Sequence, residues 1–584
     1  MNRRRRDIRG WAATFVIVAV AGAAAASVGV GAITTSELQE WLTYISSDEL
    51  EGRAVFTTGF GLAAGYISDH LHAWGVKPAG DHGSYLQTVR VLGVKTTSRS
   101  TVSVTVDGET RTFADGDAIS FPRNMGGARR FTVDRVEFAG YGLDAPGANH
   151  VDFRGKDEKG AAVVWLGANG PKGIDRSVFR RVLSGRNRYA TEQLGAAASI
   201  GPMSEAGRAG QAGAVGRAGD AGLAGQAGAA RPPGETGRPG GGRGAPLPAA
   251  DFTTVQRLDA PLPPNVTASD AFFTFLFSHA PAQYDELKRR ATAQEELPSF
   301  RVPGATMTFN VDADYQVVRT QLTKNVVAVV EGADPQLKSS YVAFGAHYDH
   351  VGYAEGEVTR DTGVRRAGAP GRVTAGAEDD RIWNGADDDG SGTVAIMALA
   401  KAFAEGPKPK RSLLFVWHAG EERGLWGSRY FADYPTVPMD SIVAQLNIDM
   451  IGRNRDNKAS EANTVYLVGS DRISSELHAL NSAANAAMPR PLTLNYEFND
   501  PADLEQLYYR SDHYSYAAKG VPIIFFTTGL HPDYHANTDE VSKIEFDKMT
   551  RITQMVYLTG LRLANLDHAP VRDNKGPRAG RLTQ

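Results

Sequence analysis

Five short clusters of histidine and carboxylate carry the chemistry of this chain. In order they are GAHYDH (345–350), NGADDDGSG (384–392), HAGEERGLWGS (418–428), NIDMIGR (447–453) and DYHANTDE (533–540). Imidazole plus carboxylate, with no thiolate, is the donor set of a hydrolytic zinc site that keeps one coordination position open. A two-zinc site needs about six donors, one of which reaches both ions; a carboxylate can do so because it has two oxygens. Two ions about 3.5–4 Å apart share a water, lower its pKa and clamp a tetrahedral intermediate. That water also needs a carboxylate base that is not a ligand. Adjacent Glu421 and Glu422 can supply one of each, since neighbours in a turn point in different directions. Asp387, Asp388 and Asp389 are consecutive, so spacing alone does not choose among them. One such cluster would mean little; five in this order indicate a metallohydrolase.

The elements that must position these clusters follow from apolar patterning. From about Thr323 onward, strands and helices alternate. KNVVAVVEG (324–332), YVAFGAH (341–347), RSLLFVWH (411–418), SIVAQLNID (441–449), TVYLVG (464–469) and VPIIFFTT (521–528) read as strands. Thr393–Ala404, GLWGSRYFADY (424–434) and Phe546–Leu563 read as helices. Near-continuous apolar strands separated by helices predict an α/β fold, a mixed but mostly parallel sheet flanked by helices. In such sheets ligands come from loops at the carboxyl ends of strands, and His347, Glu421, Glu422 and Asp449 all fall there. Upstream, Leu38, Trp41, Leu42 and Ile45 recur at helical spacing, as do Leu62, Tyr66, Ile67 and Leu71. Between them lies SSDELEGR (46–53), and WGVKPAGD (74–81) closes the segment with Pro and Gly. From about Ser98 short alternating strands such as TVSVTV (101–106) and FTVDRVEF (131–138) predict a separate β-rich domain, with a helical run around Ala190–Ser199.

Composition narrows the address and the partners. At 584 residues the chain exceeds one ordinary core, and two or three domains are expected. The net charge of −3 gives no reason to expect nucleic acid. Cysteine is absent, which excludes disulfides and thiolate ligands. MNRRRR followed by the Ala- and Gly-rich apolar run Trp11–Val30 reads as an export signal, with small-residue cleavage sites after Ala26 or Ala32. An uncleaved membrane anchor is the alternative, since the run is nearly long enough to span a bilayer. Either way the bulk of the chain is expected outside the cytoplasm, periplasmic or extracellular. Between about 201 and 248 glycine recurs at every third position from Gly207 to Gly228. Proline is absent from those triplets until Pro232, so a disordered surface loop is expected rather than a collagen-like helix.

On these motifs the sequence resembles the co-catalytic dinuclear zinc aminopeptidases of clan MH: leucyl aminopeptidases, aminopeptidase Y and, more distantly, glutamate carboxypeptidase II. The similarity covers about 36–97 and 311–566, including SSDELEGR and WGVKPAGD, which carry no chemistry. FAGYGL and DEKGAAVVWL, within 98–310, resemble a protease-associated domain inserted into the peptidase domain. With the signal peptide or anchor read at 1–32, the resemblance implies a peptidase domain split between 33–97 and 311–570. A protease-associated-like insert fills 98–310, and a flexible tail occupies 571–584. It also implies a zinc-exopeptidase fold, two Zn2+ per chain and peptide substrates.

Carried over by position, the family pattern makes Asp388 the bridging carboxylate, counting back three from Ser391. His347 and Asp449 complete one zinc site; Glu422 and His535 complete the other. Glu421 becomes the general base, and Asp349 orients the His347 imidazole through its second nitrogen. The pattern also implies a cis peptide bond between Asp388 and Asp389. Tyr534, beside His535, corresponds to a tyrosine that polarises the carbonyl in one branch of the family. His350 and His418 occupy no ligand position and are expected to support the ligands from behind. His513 is expected to satisfy loop hydrogen bonds. Asp539 either supports the His535 loop or caps a helix before Val541. The function implied is an exported metalloaminopeptidase. A carboxypeptidase of the glutamate carboxypeptidase II type is the alternative on the same site. A metal-free, transferrin-receptor-like binding module is the alternative of another class.

Overall fold

Apolar strands of β-branched and aromatic residues, each followed by a glycine-rich turn and a helix, build the half of the chain that carries the five clusters. The computed structural model describes residues 29–203, 249–355 and 368–573. Nearly all of the segment 1–32 read as a signal or anchor, nearly all of the glycine-rich segment and the end of the polar tail lie outside the described residues. Among the described residues no helix is long and apolar enough to cross a membrane. The chain divides into two compact units. One comprises the residues up to Val89, Leu322–Asn499 and the chain from Tyr508; the other comprises Arg90–Gln321 and Asp500–Leu507.

In the first unit, helices α1 (Thr35–Ile45) and α2 (Thr58–Ala73) precede the sheet. The sheet uses β1 (Leu86–Ser98) and β2 (Ala313–Val330), which belong to this unit only up to Val89 and from Leu322, with β3 (Tyr341–His347), β4 (Ser412–His418), β5 (Ile442–Ile448), β6 (Thr464–Val468), β7 (Thr493–Asn495) and β8 (Ile523–Thr527). Their spatial order is β1-β2-β4-β3-β5-β8-β6-β7. The four central strands, β4, β3, β5 and β8, are mutually parallel, while β2 and β6 join them antiparallel. The register sets His347 opposite His418, Gly345 opposite Asn447 and Ile448 opposite Phe526. All four carboxyl ends therefore open on one edge, where parallel topology gathers functional loops. The mixed α/β sheet expected from the patterning is present.

Helices α3 (Gly392–Glu405), α4 (Trp426–Asp433), α5 (Ser475–Ala486) and α6 (Phe546–Ala564) complete this unit. Every residue of α3 from Gly392 to Ala400 is buried, so it is apolar all round and runs through the core rather than along its surface. In α2 the buried face is Phe60, Ala63, Ala64, Ile67 and Leu71. Leu62, placed on that face by its spacing, is instead 46% exposed. Helix α6 presses against the sheet at Gly560, where a Cβ would sit 2.4 Å from Cζ of Phe344.

The second unit is β-rich, as the alternating pattern predicts. TVSVTV forms a strand with alternate residues buried, in a four-stranded antiparallel sheet ordered Glu109–Ala114, Thr101–Val106, Ala305–Val311, Arg129–Val133. A six-stranded sheet has four parallel strands at its centre, Val136–Ala139, Ala162–Val164, Ala198–Pro202 and Asn265–Ala268. The helical run expected around Ala190–Ser199 is displaced. Helical turns cover Arg180–Gln193, and Ala198–Pro202 is a central strand between Ala162–Val164 and Asn265–Ala268. Alanine-rich sequence favours helix locally, but pairing on both edges overrides that preference.

Alanine ordinarily exceeds glycine in a helix interior by about 1 kcal/mol. At Gly560 the overlap with buried Phe344 reverses the sign, because overpacking costs about 1–3 kcal/mol. Gly560→Ala should lower the thermal unfolding midpoint, and adding Phe344→Leu should recover part of the loss.

Candidate metal centre

Each functional side chain hangs from a strand end or the turn just beyond it. His347 is the last residue of β3 and Asp449 follows β5 directly. Glu421 and Glu422 form a tight turn after β4, between Gly420 and Gly424, both with positive φ. Asp388 lies in the turn entering α3, and His535 follows β8 with φ 54. The Asp388–Asp389 peptide bond is cis.

The three consecutive aspartates are told apart by what they face. Asp387 accepts from the Gly452 amide at 2.5 Å and lies 3.2 Å from His531 Nε2. Asp389 accepts from the amides of His347, Gly392 and Met450 at 2.9–3.2 Å. Only Asp388 faces the histidine and carboxylate side chains of the other clusters. Its Oδ1 is 3.3 Å from His347 Nε2, which is 3.7 Å from Asp449 Oδ2. Its Oδ2 is 3.1 Å from His535 Nε2, which is 3.0 Å from Glu422 Oε2. Each oxygen of one carboxylate thus belongs to a different trio.

The donor spacing fits a metal. Zinc ligands about 2.0–2.2 Å from the ion at tetrahedral angles are about 3.3–3.5 Å apart, close to the 3.0–3.7 Å separations here. His350, fully buried, adds a further donor: its Nδ1 is 2.9 Å from Glu422 Oε1 and 3.9 Å from Asp388 Oδ2. Both nitrogens of His350, Asp388 Oδ2 and Glu422 Oε1 are buried, and beyond these contacts among the site's own side chains no hydrogen bond reaches them. Converging buried lone pairs of this kind are costly unless a cation joins them. Two overlapping groups can hold an ion: His347, Asp388 and Asp449, and His350, Asp388 and Glu422.

The charge states follow the same division. Burial alone would lower the proton affinity of His347 and His535. Asp449 and Asp388 around the first, and Glu422 around the second, outweigh it and push both imidazoles well above their usual range. Burial would raise the Asp388 carboxyl, but hydrogen bonds from His347 and His535 hold it well below the usual carboxylate range. Glu422 is likewise held at about 2, against the effect of burial, chiefly by His535. Protons here balance charge that a bound metal would balance instead, so metal uptake releases protons. Glu421 behaves oppositely. Burial, opposed by His347 and reinforced by Glu422 and Asp449, raises its carboxyl well above the usual range.

One expected contact is made differently. His347 Nδ1 meets the backbone carbonyl of Asp349 at 3.0 Å, while the Asp349 carboxylate stays 3.8 Å away. Because β3 ends at His347, the chain turns there and carries its own carbonyl under the ring. The Asp349 carboxylate accepts from the Glu421 amide at 3.1 Å and so holds the glutamate turn. The ring of Tyr534 stacks on His535 with centroids 4.0 Å apart, and its hydroxyl accepts from Arg510 Nη2 at 3.1 Å. Asp539 supports the loop: it accepts from the amides of Asp387 and Asp388 at 3.0 and 3.1 Å. His418 sits behind the site between Asp512, 3.3 Å away, and the Tyr516 hydroxyl at 3.0 Å. His513 donates to the Tyr508 carbonyl at 2.8 Å and stacks on Phe525. Sequence reasoning passed over His531 behind Asp387 and Ser511, which donates to Asp449 at 2.6 Å. It had also set His350 aside from the ligand positions.

Comparison with known proteins now bears on these residues. Residues 325–559 match Peptidase family M28, a span that contains every residue of both trios. Leucine aminopeptidase 1 of Trichophyton equinum is 26% identical over 242 residues, 40% of this chain and 56% of its own. The leupeptin-inactivating enzyme 1 of Streptomyces exfoliatus is 30% identical over 155 residues, 26% of this chain and 31% of its own. The chain therefore spans about half the length, or less, of these relatives. A solved aminopeptidase from Aneurinibacillus sp. strain AM-1 aligns over 95% of this chain and 100% of its own at 17% identity. Its TM-score is 0.42. The matched segment is thus similar to Peptidase family M28, and relatives named as leucine aminopeptidases are among those that resemble the chain.

Burial, partly offset by the Tyr508 carbonyl, lowers His513 to about 3. The folded state then binds fewer protons than the unfolded state between about pH 3 and 6.5, and stability falls as pH drops through that window by about 1.4 kcal/mol per unit. Urea unfolding at pH 7 and pH 5 should show wild type losing about 2 kcal/mol more than His513→Gln, which keeps a donor and cannot titrate.

Proposed function

We propose that the chain is an exported zinc aminopeptidase that removes N-terminal residues from peptides. The observation that carries this reading is Asp388, whose two oxygens face separate histidine and carboxylate trios. That disposition suits a pair of ions bridged by one carboxylate. His347, Asp388 and Asp449 would hold one zinc; Asp388, Glu422 and His535 the other. When bound, the two ions supply Lewis acidity to the scissile carbonyl and acidify the attacking water.

The protein's own residues do the rest. Glu421 takes no part in either trio, and its raised proton affinity suits a base that accepts the water's proton and returns it to the leaving amine. The Asp349 carboxylate, bonded to the Glu421 amide, keeps that turn in place. Tyr534 accepts from Arg510, which leaves its own proton to point at the oxyanion developing on the carbonyl. The carboxylates that crowd the site favour a cationic α-amine as the substrate's end group. MNRRRR and the apolar run behind it support export, and FAGYGL and DEKGAAVVWL support reading the inserted unit as protease-associated.

Zinc content and hydrolysis of aminoacyl-p-nitroanilides, with N-acetylated copies alongside, test the proposal on the full chain. Wild type should carry two zinc ions and cleave only free amines. Glu421→Gln should keep its zinc and lose about 10²-fold or more in kcat, whereas Asp388→Asn should lose both zinc and turnover. Cleavage confined to blocked peptides with acidic C-termini would make the enzyme a carboxypeptidase. A metal-free, inert wild type would make it a binding module.

A further inference from the structure

SSDELEGR (46–53) contributes no group to the proposed reaction, yet its arginine is fully buried beside the site. Among the described residues Arg53 forms no ion pair; its guanidinium donates to backbone carbonyls throughout. Nε donates to Tyr348 O at 3.1 Å, Nη1 to Ile45 O and Asn384 O at 2.6 Å each, and Nη2 to Gly385 O at 2.9 Å. Its own carbonyl accepts from the His350 amide at 3.2 Å. Tyr348 adjoins His347, and Gly385 lies three residues before Asp388, so one side chain ties together the two segments that carry these groups.

The surrounding turn is built for that reach. Glu51, Gly52 and Arg53 all have left-handed φ of 49, 65 and 48. A Cβ on Gly52 would come within 2.4 Å of Gly352 O and 2.5 Å of Trp383 O, so the turn wedges between the same two segments. Left-handed backbone at two non-glycine residues costs of order 1 kcal/mol or more each and persists only where surroundings enforce it. Asn384 completes the link, its Nδ2 donating to Ser46 O and Asp48 Oδ1 at 2.8 Å each.

The geometry points to Arg53 as a positioning residue that sets the separation between the His347–His350 segment and the turn at 384–388, and with it the spacing of the metal donors. A planar fork of five N–H groups can serve four diverging carbonyls, whereas an ammonium offers three donors from one point. Burial lowers Arg53 to about 10, opposed by Asp349, Asp389, Asp539 and Asp388, so it stays cationic at neutral pH and also offsets their charge.

This inference rests on the metal-centre reading, and its test reads metal rather than turnover. Full-length wild type, Arg53→Lys and Asn384→Ala are titrated with Co2+, following the visible d–d absorption, and their metal-free thermal unfolding is recorded. Arg53→Lys should bind at least one cobalt ion about tenfold more weakly with an altered spectrum, and Asn384→Ala should change in the same direction by less. Wild-type affinity and spectrum in both variants would overturn the inference, whatever their stability, because a purely structural role would lower the melting point alone. If Arg53→Lys does not fold, Asn384→Ala decides by the same readout. Wild type that binds cobalt but cleaves no peptide would remove the aminopeptidase reading and leave this test intact. Wild type that binds no cobalt would remove both.

Discussion

Concentrated negative charge in a buried space is the constraint to which the rest of the first unit answers. Asp349, Asp387, Asp388, Asp389, Asp512 and Asp539 are all buried around one strand edge, with Glu421 and Glu422 beside them. Charges of one sign cannot gather in low dielectric without partners. Four of these carboxylates accept from backbone amides: Asp389 takes three, Asp539 takes those of Asp387 and Asp388, Asp349 takes that of Glu421, and Asp387 takes that of Gly452. Some take a buried imidazole, as Asp387 does from His531 and Asp512 from His418. What remains after this pairing is a small set of oxygens and nitrogens with only each other for company. The site is defined as much by the carboxylates that are neutralised around it as by those left over.

Parallel topology makes such a convergence possible. Four adjacent strands running the same way bring four turns to one edge, and each turn needs only a few residues to reach its neighbours. The glycines flanking the Glu421–Glu422 turn and the left-handed His535 let the backbone double back within that space. Helix α3, buried from Gly392 to Ala400, then holds the aspartate turn, its first amide bound to Asp389.

Much of this could be read from the chain itself. Apolar runs ending in His347, His418 and Ile448 announced both the strands and the place where chemistry collects, since burial on both faces leaves little room for polar residues elsewhere. The three aspartates were indistinguishable by spacing, because a one-residue shift in a turn changes direction entirely; only the amides each one meets separate them. His347 hydrogen-bonds the carbonyl of Asp349 rather than its carboxylate, a backbone partner that no side-chain pattern can announce. His350 lies within GAHYDH, but it occupies no ligand position in the family pattern, so a supporting place behind the ligands was expected for it. The strand Ala198–Pro202 was mistaken for helix because pairing with two distant strands outweighed an alanine-rich local preference. Arg53 was invisible for a related reason: its partners are carbonyls, which every residue has.

The hydrogen bonds of Arg53 to Tyr348, Asn384 and Gly385 span 295, 331 and 332 residues. Contacts so distant in sequence close late, because loop entropy must be overcome before they stabilise anything. During synthesis Arg53 emerges before these partners, and Arg90–Gln321 of the second unit is made in between. His535 emerges later still. The segment 46–53 therefore waits for the turns it will clasp, and the second trio lacks its histidine until His535 has been made.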